Sequence, residues 1–405
     1  MSLRFKPMDL LSGLFGQAGS PVAVDLGSSG LKVLAIQPGT APVLEAIGFA
    51  ATPPELRHDI RGRLRHQFDQ LADLSRKLGL KGRKVVCAIP ASQTFCKHLQ
   101  MERIADVPVT VHAQSAIAQQ LGCDPAALVY QAIDVGPLPS DSTRHEVICT
   151  AVSRELVSLI MSGMRHAKLE IAGVHGEFMA TVRGLDHLTK RADDAVLGSV
   201  YLDIGESATK IVIAQGTRVV FVRNIEAGTA VIDTALAERR SCTAAEAAVI
   251  RHNHSAGLED EPAPVGRPEP VAAAARPESL GVLALIPQDR RRGAPRSEHE
   301  LPDSPLPEIA EQVEILADEV QMCVRYAESV VSDLRIDRLM CMGGGATDRA
   351  LCRRIARTLR LPAQTIDPLA RLSRTGKEPV IGVDLSTPHP EWTVAVGLSL
   401  CPTSL

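Results

Sequence analysis

Apolar residues in the first half of the chain fall into short runs that predict strands and helices in alternation. Residues 22–27 and 31–36 are apolar runs on either side of a Gly-Ser turn, which is typical of a strand hairpin. Later runs at 84–89 and 147–152 also predict strands, whereas residues 154–167 repeat their apolar positions with a helical period. Two more segments with helical spacing lie at residues 72–78 and 113–121. This alternation predicts an α/β lobe.

The opening hairpin has a counterpart in the middle of the chain. DLGSSGLK at residues 25–32 and DIGESATK at residues 203–210 share the pattern D-[LI]-G-x-S-x-x-K. Each follows an apolar strand, and residues 210–214 supply the returning strand of the second copy. Such a recurrence indicates an internal duplication. We therefore expect two matched lobes, the first of which ends near Arg191.

After the second hairpin, the pattern predicts an insertion, a long helix and a glycine-rich turn. Residues 252–307 carry 10 of the 27 prolines of the chain, and a segment of this composition buries too little apolar surface to offset its ordering entropy. We expect it to be largely disordered; the alternative for residues 281–286 is a docking strand or a folded loop. Residues 308–334 have the apolar period of a helix. An apolar run at 339–342 then precedes three glycines and another helix.

The two hairpins have the chemistry of phosphate-binding turns. Glycine and serine at a strand bend expose backbone N–H groups and hydroxyls toward an anion. Asp25 and Asp203 stand at strand ends, where carboxylates attract hydrated Mg²⁺, usually through water. Gly343, Gly344 and Gly345 can lie flat against a base, sugar or phosphate because they have no side chain. Each turn alone is common, but the three in sequence predict a nucleotide site.

The order of these three turns resembles that of the actin/DnaK/hexokinase superfamily. The segment at residues 25–32 is similar to the opening motif of the PilM family of type IV pilus assembly proteins and of its relative FtsA, with PilM the closer match. KVVCAIP at residues 84–90 resembles the strand that opens the inserted PilM subdomain. VAVGL at residues 394–398 resembles the final helix of the family. The resemblance covers most of the chain.

The resemblance implies an α/β, actin-like fold, in which two ribonuclease H-like duplicated lobes carry an inserted subdomain of the FtsA/PilM type. The expected divisions are an N-terminal extension (1–20), lobe 1 (21–80 and 166–195), an inserted partner-docking subdomain (81–165), lobe 2 (196–226 and 338–405) and a peripheral subdomain of lobe 2 (227–337) that includes the insertion 252–307.

The same resemblance implies ATP and Mg²⁺ as ligands, with the metal held by Asp25 and Asp203 through water. The implied nucleotide contacts are Asp25, Gly27, Ser28, Ser29, Lys32, Asp203, Gly205, Ser207, Thr209, Glu246, Gly343, Gly344 and Gly345.

Two further positions are interpreted through the resemblance. Glu177 precedes the second hairpin, where the superfamily carries a water-orienting side chain, so it is the catalytic candidate; the alternative is a favourable charge at a helix start. In related proteins a Glu-x-x-Lys pair contacts the ribose and adenine. Here Val249 follows Glu246 at the lysine position, and Arg251 is the candidate substitute.

Composition narrows the classes of partner. With 45% hydrophobic and 22% charged residues the chain is expected to fold, and a net charge of -3 attracts neither nucleic acid nor an anionic membrane. The nine cysteines contain no C-x-x-C pair, which favours a reducing compartment. No apolar run reaches the ~20 residues of a spanning helix. We expect a cytoplasmic protein, peripheral at the inner membrane through partners; residues 8–15 are either an amphipathic foot or a terminal extension.

The expected function is that of an ATP-binding type IV pilus assembly protein with weak ATP hydrolysis. Its inserted subdomain would dock the N-terminal cytoplasmic peptide of a membrane-anchored, PilN-like pilus protein, with self-association as a further option. The alternatives are an FtsA-like or type II secretion-related scaffold, a nucleotide-free scaffold, and a small-molecule kinase. A kinase needs an Asp base beside a substrate pocket, and the sequence offers no convincing one.

Overall fold

The computed structural model of the protein describes residues 20–39, 41–104, 107–185, 194, 196–256, 282–286 and 305–401. The predictions for residues 8–15 and for a lobe boundary near Arg191 lie outside the described residues.

The described strands and helices alternate through most of the chain, and their bounds are as follows. The strands are β1 (Val22–Leu26), β2 (Gly30–Gln37), β3 (Val43–Ala51), β4 (Lys84–Ile89), β5 (Phe95–Glu102), β6 (Leu128–Leu138), β7 (Asp141–Ser153), β8 (Glu170–Gly176), β9 (Gly198–Ile204), β10 (Thr209–Gln215), β11 (Arg218–Ile225), β12 (Val282–Ile286), β13 (Ile336–Met342), β14 (Ala363–Ile366) and β15 (Val380–Ile381). The helices are α1 (Ile60–Lys77), α2 (Val109–Leu121), α3 (Arg154–His166), α4 (Glu177–Gly184), α5 (Thr229–Arg240), α6 (Ala244–Ala256), α7 (Ala310–Val330), α8 (Arg349–Leu359) and α9 (Thr393–Leu398).

Two six-stranded sheets share one core topology. Their strand orders are β15-β3-β2-β1-β4-β8 and β11-β10-β9-β13-β14-β12. In each, three antiparallel strands that follow one another in the chain are extended by two parallel strands. Because the pairing repeats strand for strand, the structure confirms the internal duplication that the two octapeptides predict.

Lobe 1 is the first sheet with helices on both faces. Helices α1 and α3 cover one face through Leu71 and Ile160, and α4 and α9 cover the other. Both β15 and Trp392, which is 1% exposed, come from the C-terminal region that the sequence analysis assigns to lobe 2. That assignment is wrong for this region, because β15 pairs with β3 and Trp392 packs with Ala23 and Leu34 of lobe 1.

The inserted subdomain is a separate three-stranded sheet, in the order β5-β7-β6, with α2 packed on it. It is smaller than the predicted range 81–165. Strand β4 pairs in parallel with β1 and is part of lobe 1, and Met164 of α3 lies in the core beneath α1. The subdomain therefore spans β5 to β7, and its two flanking elements join it to lobe 1.

Lobe 2 carries three segments of the predicted insertion 252–307 in ordered form. Helix α6 continues to Ala256 and buries Ser255, whose hydroxyl accepts a hydrogen bond from Arg349 N at 2.7 Å. Strand β12 pairs antiparallel with β14 at the sheet edge, so residues 282–286 form a strand of lobe 2 itself. Residues 305–309 lead through a 3-10 turn into α7. The prediction of disorder is wrong for these segments, because each has backbone or buried side-chain partners.

Candidate functional site

A cavity of about 490 Å³ lies between the two lobes, with both hairpins and the glycine-rich turn in its wall. The hairpin β1–β2 reaches it from lobe 1, the hairpin β9–β10 reaches it from lobe 2, and the turn after β13 completes the wall. The predicted site residues that line it are Asp25, Gly27, Ser28, Ser29, Lys32, Glu177, Asp203, Gly205, Ser207, Gly343, Gly344 and Gly345.

Two predicted nucleotide contacts lie elsewhere. Thr209 is fully buried, and its hydroxyl donates to Ala227 O at 2.7 Å. Glu246 closes a capping box at the start of α6: its carboxylate accepts from Thr243 N at 2.8 Å, and Thr243 Oγ1 accepts from Glu246 N at 3.2 Å. Neither side chain lines the cavity, because Thr209 is engaged by the carbonyl of Ala227 after β11 and Glu246 caps its own helix.

Each hairpin holds one buried carboxylate and one buried ammonium group directly opposite each other. Asp25 faces Lys32 across the first hairpin with 3.0 Å between Oδ2 and Nζ, and Asp203 faces Lys210 across the second with 2.8 Å. Residues in register across an antiparallel pair place their side chains on one face. The seven-residue spacing from Asp to Lys in both octapeptides therefore builds the same ion pair twice.

Glu177 adds a third carboxylate at the first turn of α4. Its Oε2 lies 2.7 Å from Lys210 Nζ, so Lys210 of lobe 2 bridges Asp203 and a residue of lobe 1. Burial raises the pKa of the Glu177 carboxyl, and the neighbouring Asp25 and Asp203 carboxylates add to that rise while the Lys210 ammonium opposes it. Burial alone would lower the pKa of Lys210, but the surrounding carboxylates outweigh burial and raise it.

The three glycines of the turn after β13 differ in what an added side chain would meet. Gly343 has φ +82, and a Cβ there would lie 2.3 Å from Asp203 Oδ1. A Cβ on Gly345 would lie 2.4 Å from Ile204 Cγ2, so this residue lets the turn pack on β9. A Cβ on Gly344 would meet no atom within 4 Å. Gly344 is the position at which a side chain would extend into open space beside the cavity without disturbing the fold.

Arg251 is fixed in a buried network on the lobe 2 side of the cavity. Its Nε lies 2.7 Å from Asp233 Oδ1 on α5, and its Nη1 lies 2.9 Å from Asp348 Oδ2 at the start of α8. The side chain of Arg251 is 4% exposed. The expected substitute for a base-contacting lysine therefore joins three helices, since both edges of its guanidinium are engaged by carboxylates.

Sequence reasoning omitted several lining residues that the structure supplies. Lys210 had a clear signal, because it occupies the same position in the repeat as Lys32. Arg57 and Arg63 come from the segment between β3 and α1 and from α1 itself, which carry no repeated pattern. Gln67 of α1 donates to Gly27 O at 2.7 Å and so fixes the first turn from behind. Arg57, Arg63 and Gln67 lie outside the hairpins in sequence, and only the fold brings them to the site.

The donor set suits a polyphosphate with a hydrated metal. Ser207 Oγ is buried beside the cavity without a hydrogen-bond partner, and Gln67 Oε1 is a further buried polar atom without one. Among the described residues, no group of three or more His, Cys, Asp or Glu side chains could hold a metal ion directly. Asp25 and Asp203, each already paired with lysine, fit contact with Mg²⁺ through water.

Comparison with known proteins identifies a family and similar solved structures. Residues 23–261 match the family model described as type IV pilus assembly protein PilM. No curated protein sequence matches the chain. A solved structure described as a PilM-PilN type IV pilus biogenesis complex is similar to this chain with a TM-score of 0.65 and 17% identity, over 94% of this chain and 98% of that one.

Two other solved structures are similar at lower scores. The ethanolamine utilization protein EutJ from Carboxydothermus hydrogenoformans has a TM-score of 0.49 and 14% identity, over 94% of this chain and 89% of its own. MreB5 of Spiroplasma citri bound to ADP has a TM-score of 0.43 and 13% identity, over 94% of both chains. The duplicated topology and the higher-scoring complex together confirm the predicted actin-like fold.

The described part of the chain contains no helix that combines the length and the apolar character needed to cross a bilayer.

Replacing Arg251 should test whether its network is structural. We expect Arg251→Met to lower the free energy of unfolding by about 3–5 kcal/mol, because two buried carboxylates lose their partner. Adding Asp233→Asn and Asp348→Asn should restore much of that loss. Denaturant unfolding measures both effects. The matched control is Arg239→Met, whose half-exposed side chain lies 3.6 Å from Glu311 and should cost about 1 kcal/mol or less. Equal losses for Arg251→Met and Arg239→Met would contradict the structural role.

Proposed function

Because the chain belongs to the PilM family of type IV pilus assembly proteins, we propose that it binds Mg²⁺ and ATP between its lobes and that nucleotide state controls docking of a membrane-anchored pilus component. The observation that carries this proposal is the repeated Asp–Lys pair, which presents two ammonium groups and two serine-containing turns to one cavity. Recruitment by such a partner would make the protein peripheral at the inner membrane.

Residues of both lobes would contribute charge and hydrogen-bond donors to nucleotide binding. Lys32 and Lys210 supply positive charge from opposite lobes, and the turns at Ser28 and Ser207 supply backbone N–H groups and hydroxyls. The bare backbone of Gly344 leaves room for the sugar and base. When bound, the nucleotide would supply a phosphoanhydride bond open to hydrolysis, and Mg²⁺ would neutralise phosphate charge. A ligand held from both lobes favours one relative lobe position.

Glu177 is the proposed water-orienting residue. Its carboxylate lines the cavity at the lobe junction, where it can accept a hydrogen bond from water. It is also held at 2.7 Å by Lys210, which draws the carboxylate away from a water molecule. We therefore infer slow hydrolysis, since Lys210 engages Oε2 and leaves only Oε1 to orient the water.

Glu177→Gln should separate hydrolysis from binding. The amide keeps the shape of the side chain but accepts hydrogen bonds poorly at its nitrogen, so we expect ATP turnover to fall by about 10²-fold or more. ATP affinity, measured by calorimetry, should change much less. Turnover equal to that of the wild type would remove Glu177 from the catalytic role. An equal loss in turnover and affinity would instead mark it as a binding residue.

Gly344→Val should test the proposed place of the nucleotide. The added side chain meets no protein atom at its Cβ, so we expect an unchanged thermal midpoint but ATP affinity lower by about tenfold or more, because the side chain competes with the ligand for space. Gly39→Val, in an exposed turn, is the control. Calorimetric titration with Mg²⁺ and ATP gives the result. Undiminished affinity in Gly344→Val would place the nucleotide away from this turn.

The inserted subdomain is attached to lobe 2 as well as to lobe 1, which provides a route from the nucleotide to the partner. In His98 of β5, Nε2 is 3.0 Å from the carbonyl oxygen of Val222 in β11. The His98 ring also stacks on Phe221, with 4.5 Å between the ring centroids. Its Nδ1 is 2.7 Å from Glu146, which also accepts from Tyr326 of α7 at 2.9 Å. Strand β11 pairs with β10, which carries Lys210. A movement of lobe 2 must therefore strain or shift this contact.

We expect nucleotide and partner peptide to bind with a coupling of about 1–3 kcal/mol. The solved relative is a PilM-PilN complex, so the probe is an N-terminal cytoplasmic peptide of a PilN-like protein, titrated with ATP, with ADP and without nucleotide. His98→Ala should reduce the difference among the three states because it removes the contact with lobe 2. The exposed Arg61→Ala serves as control. Equal affinities in all three states would refute the coupling, and no binding in any state would contradict the docking role.

A further inference from the structure

Arg57 and Glu206 form an ion pair that spans the cavity from one lobe to the other. Arg57 follows β3 in lobe 1, and Glu206 lies in the turn between β9 and β10 in lobe 2. Both residues line the cavity, and Arg57 Nη1 contacts Glu206 Oε1. The contact lies on the solvent side of the site, since the two side chains are 30% and 17% exposed.

The Arg57–Glu206 ion pair leaves nearby hydrogen-bonding atoms without partners. Glu206 Oε2 is buried with no hydrogen-bond partner, and so is the adjacent Ser207 Oγ. The guanidinium of Arg57 makes one further bond, from Nε to Thr52 O at 3.2 Å. A buried carboxylate oxygen without a donor is costly, and a carboxylate next to a phosphate-binding turn repels phosphate. Glu206 therefore holds Arg57 less firmly than a bidentate acceptor would.

The Arg57 side chain is also more exposed than those of three other cations in the cavity wall. The side chain of Lys210 is 14% exposed, that of Lys32 is 7% and that of Arg251 is 4%, against 30% for Arg57. The backbone of Arg57 is fixed separately, because Arg63 Nη1 donates to Arg57 O at 2.9 Å. The Arg57 side chain can thus turn while its backbone stays in place.

We propose that Arg57 exchanges partners, binding Glu206 when no triphosphate is present and the terminal phosphate when ATP is bound. This inference rests on the proposed nucleotide function. A phosphate offers the guanidinium two acceptor oxygens in its own plane, which a single Glu206 oxygen does not. The exchange would make the site distinguish a triphosphate from a diphosphate, because ADP lacks the phosphate that draws Arg57 away.

Two variants that break the same ion pair should act in opposite directions. Arg57→Ala removes the proposed phosphate ligand, so the ratio of ATP to ADP affinity should fall by about tenfold. Glu206→Gln removes the competing carboxylate and frees Arg57, so the ratio should rise. Calorimetric titration of the full chain with each Mg²⁺-nucleotide gives both ratios. Arg61→Ala, whose side chain is 87% exposed and outside the cavity wall, should leave the ratio unchanged.

A purely structural contact between the lobes gives a different result. In that case both variants lose the same contact, and a shift of the ratio in the same direction would overturn the exchange. So would an unchanged ratio in Arg57→Ala. If Arg57→Ala unfolds, Arg57→Gln and Glu206→Gln still give the two signs. If the wild-type protein binds ATP and ADP but the two variants do not shift the affinity ratio in opposite directions, only this inference is overturned. If the wild-type protein binds neither nucleotide, the proposed function is overturned with it.

Discussion

The contact between the two lobes depends on the lysines that pair with three carboxylates in one cavity. Asp25, Asp203 and Glu177 are each 6% exposed or less, and their mutual repulsion in a poorly hydrated space would oppose lobe contact. Lys32 pairs with the first, and Lys210 contacts both of the others at 2.7 and 2.8 Å, so two ammonium groups serve three carboxylates. Lys210 binds one carboxylate from each lobe. The same ion pairs therefore reduce the repulsion in the site and hold the two lobes together.

Much of this could be predicted because the duplication is visible in the sequence. The octapeptides place an Asp and a Lys in register on each hairpin, and the glycine-rich turn follows in the expected order. Lys210 was as predictable as Lys32, since it stands at the same position of the repeat. Long apolar periods such as that of α7 were also clear, because packing on one face dominates their sequence.

Other parts depend on tertiary contacts that leave no local pattern. Few side chains of strands β5 and β6 are fully buried, and neither strand contains a long run of apolar residues, so their sequence resembles loops. The return of the C-terminal region to lobe 1 is decided by contacts such as that of Trp392, which shares a cluster with Ala23 and Leu34 near the other end of the chain. Arg251 is similar: its two carboxylate partners stand on α5 and at the start of α8, and spacing along α6 cannot reveal that it meets them.

The route of the chain through lobe 1 has a consequence for its folding. The strands of lobe 2 from β9 to β11, together with β13 and β14, all precede β15 and α9, which complete lobe 1. During synthesis, lobe 2 therefore has its sheet available before lobe 1 has its last strand and the helix that buries Trp392. Contacts between such distant segments carry a large loop-closure entropy and form slowly. The half of the molecule that is translated first is thus the half that is completed last.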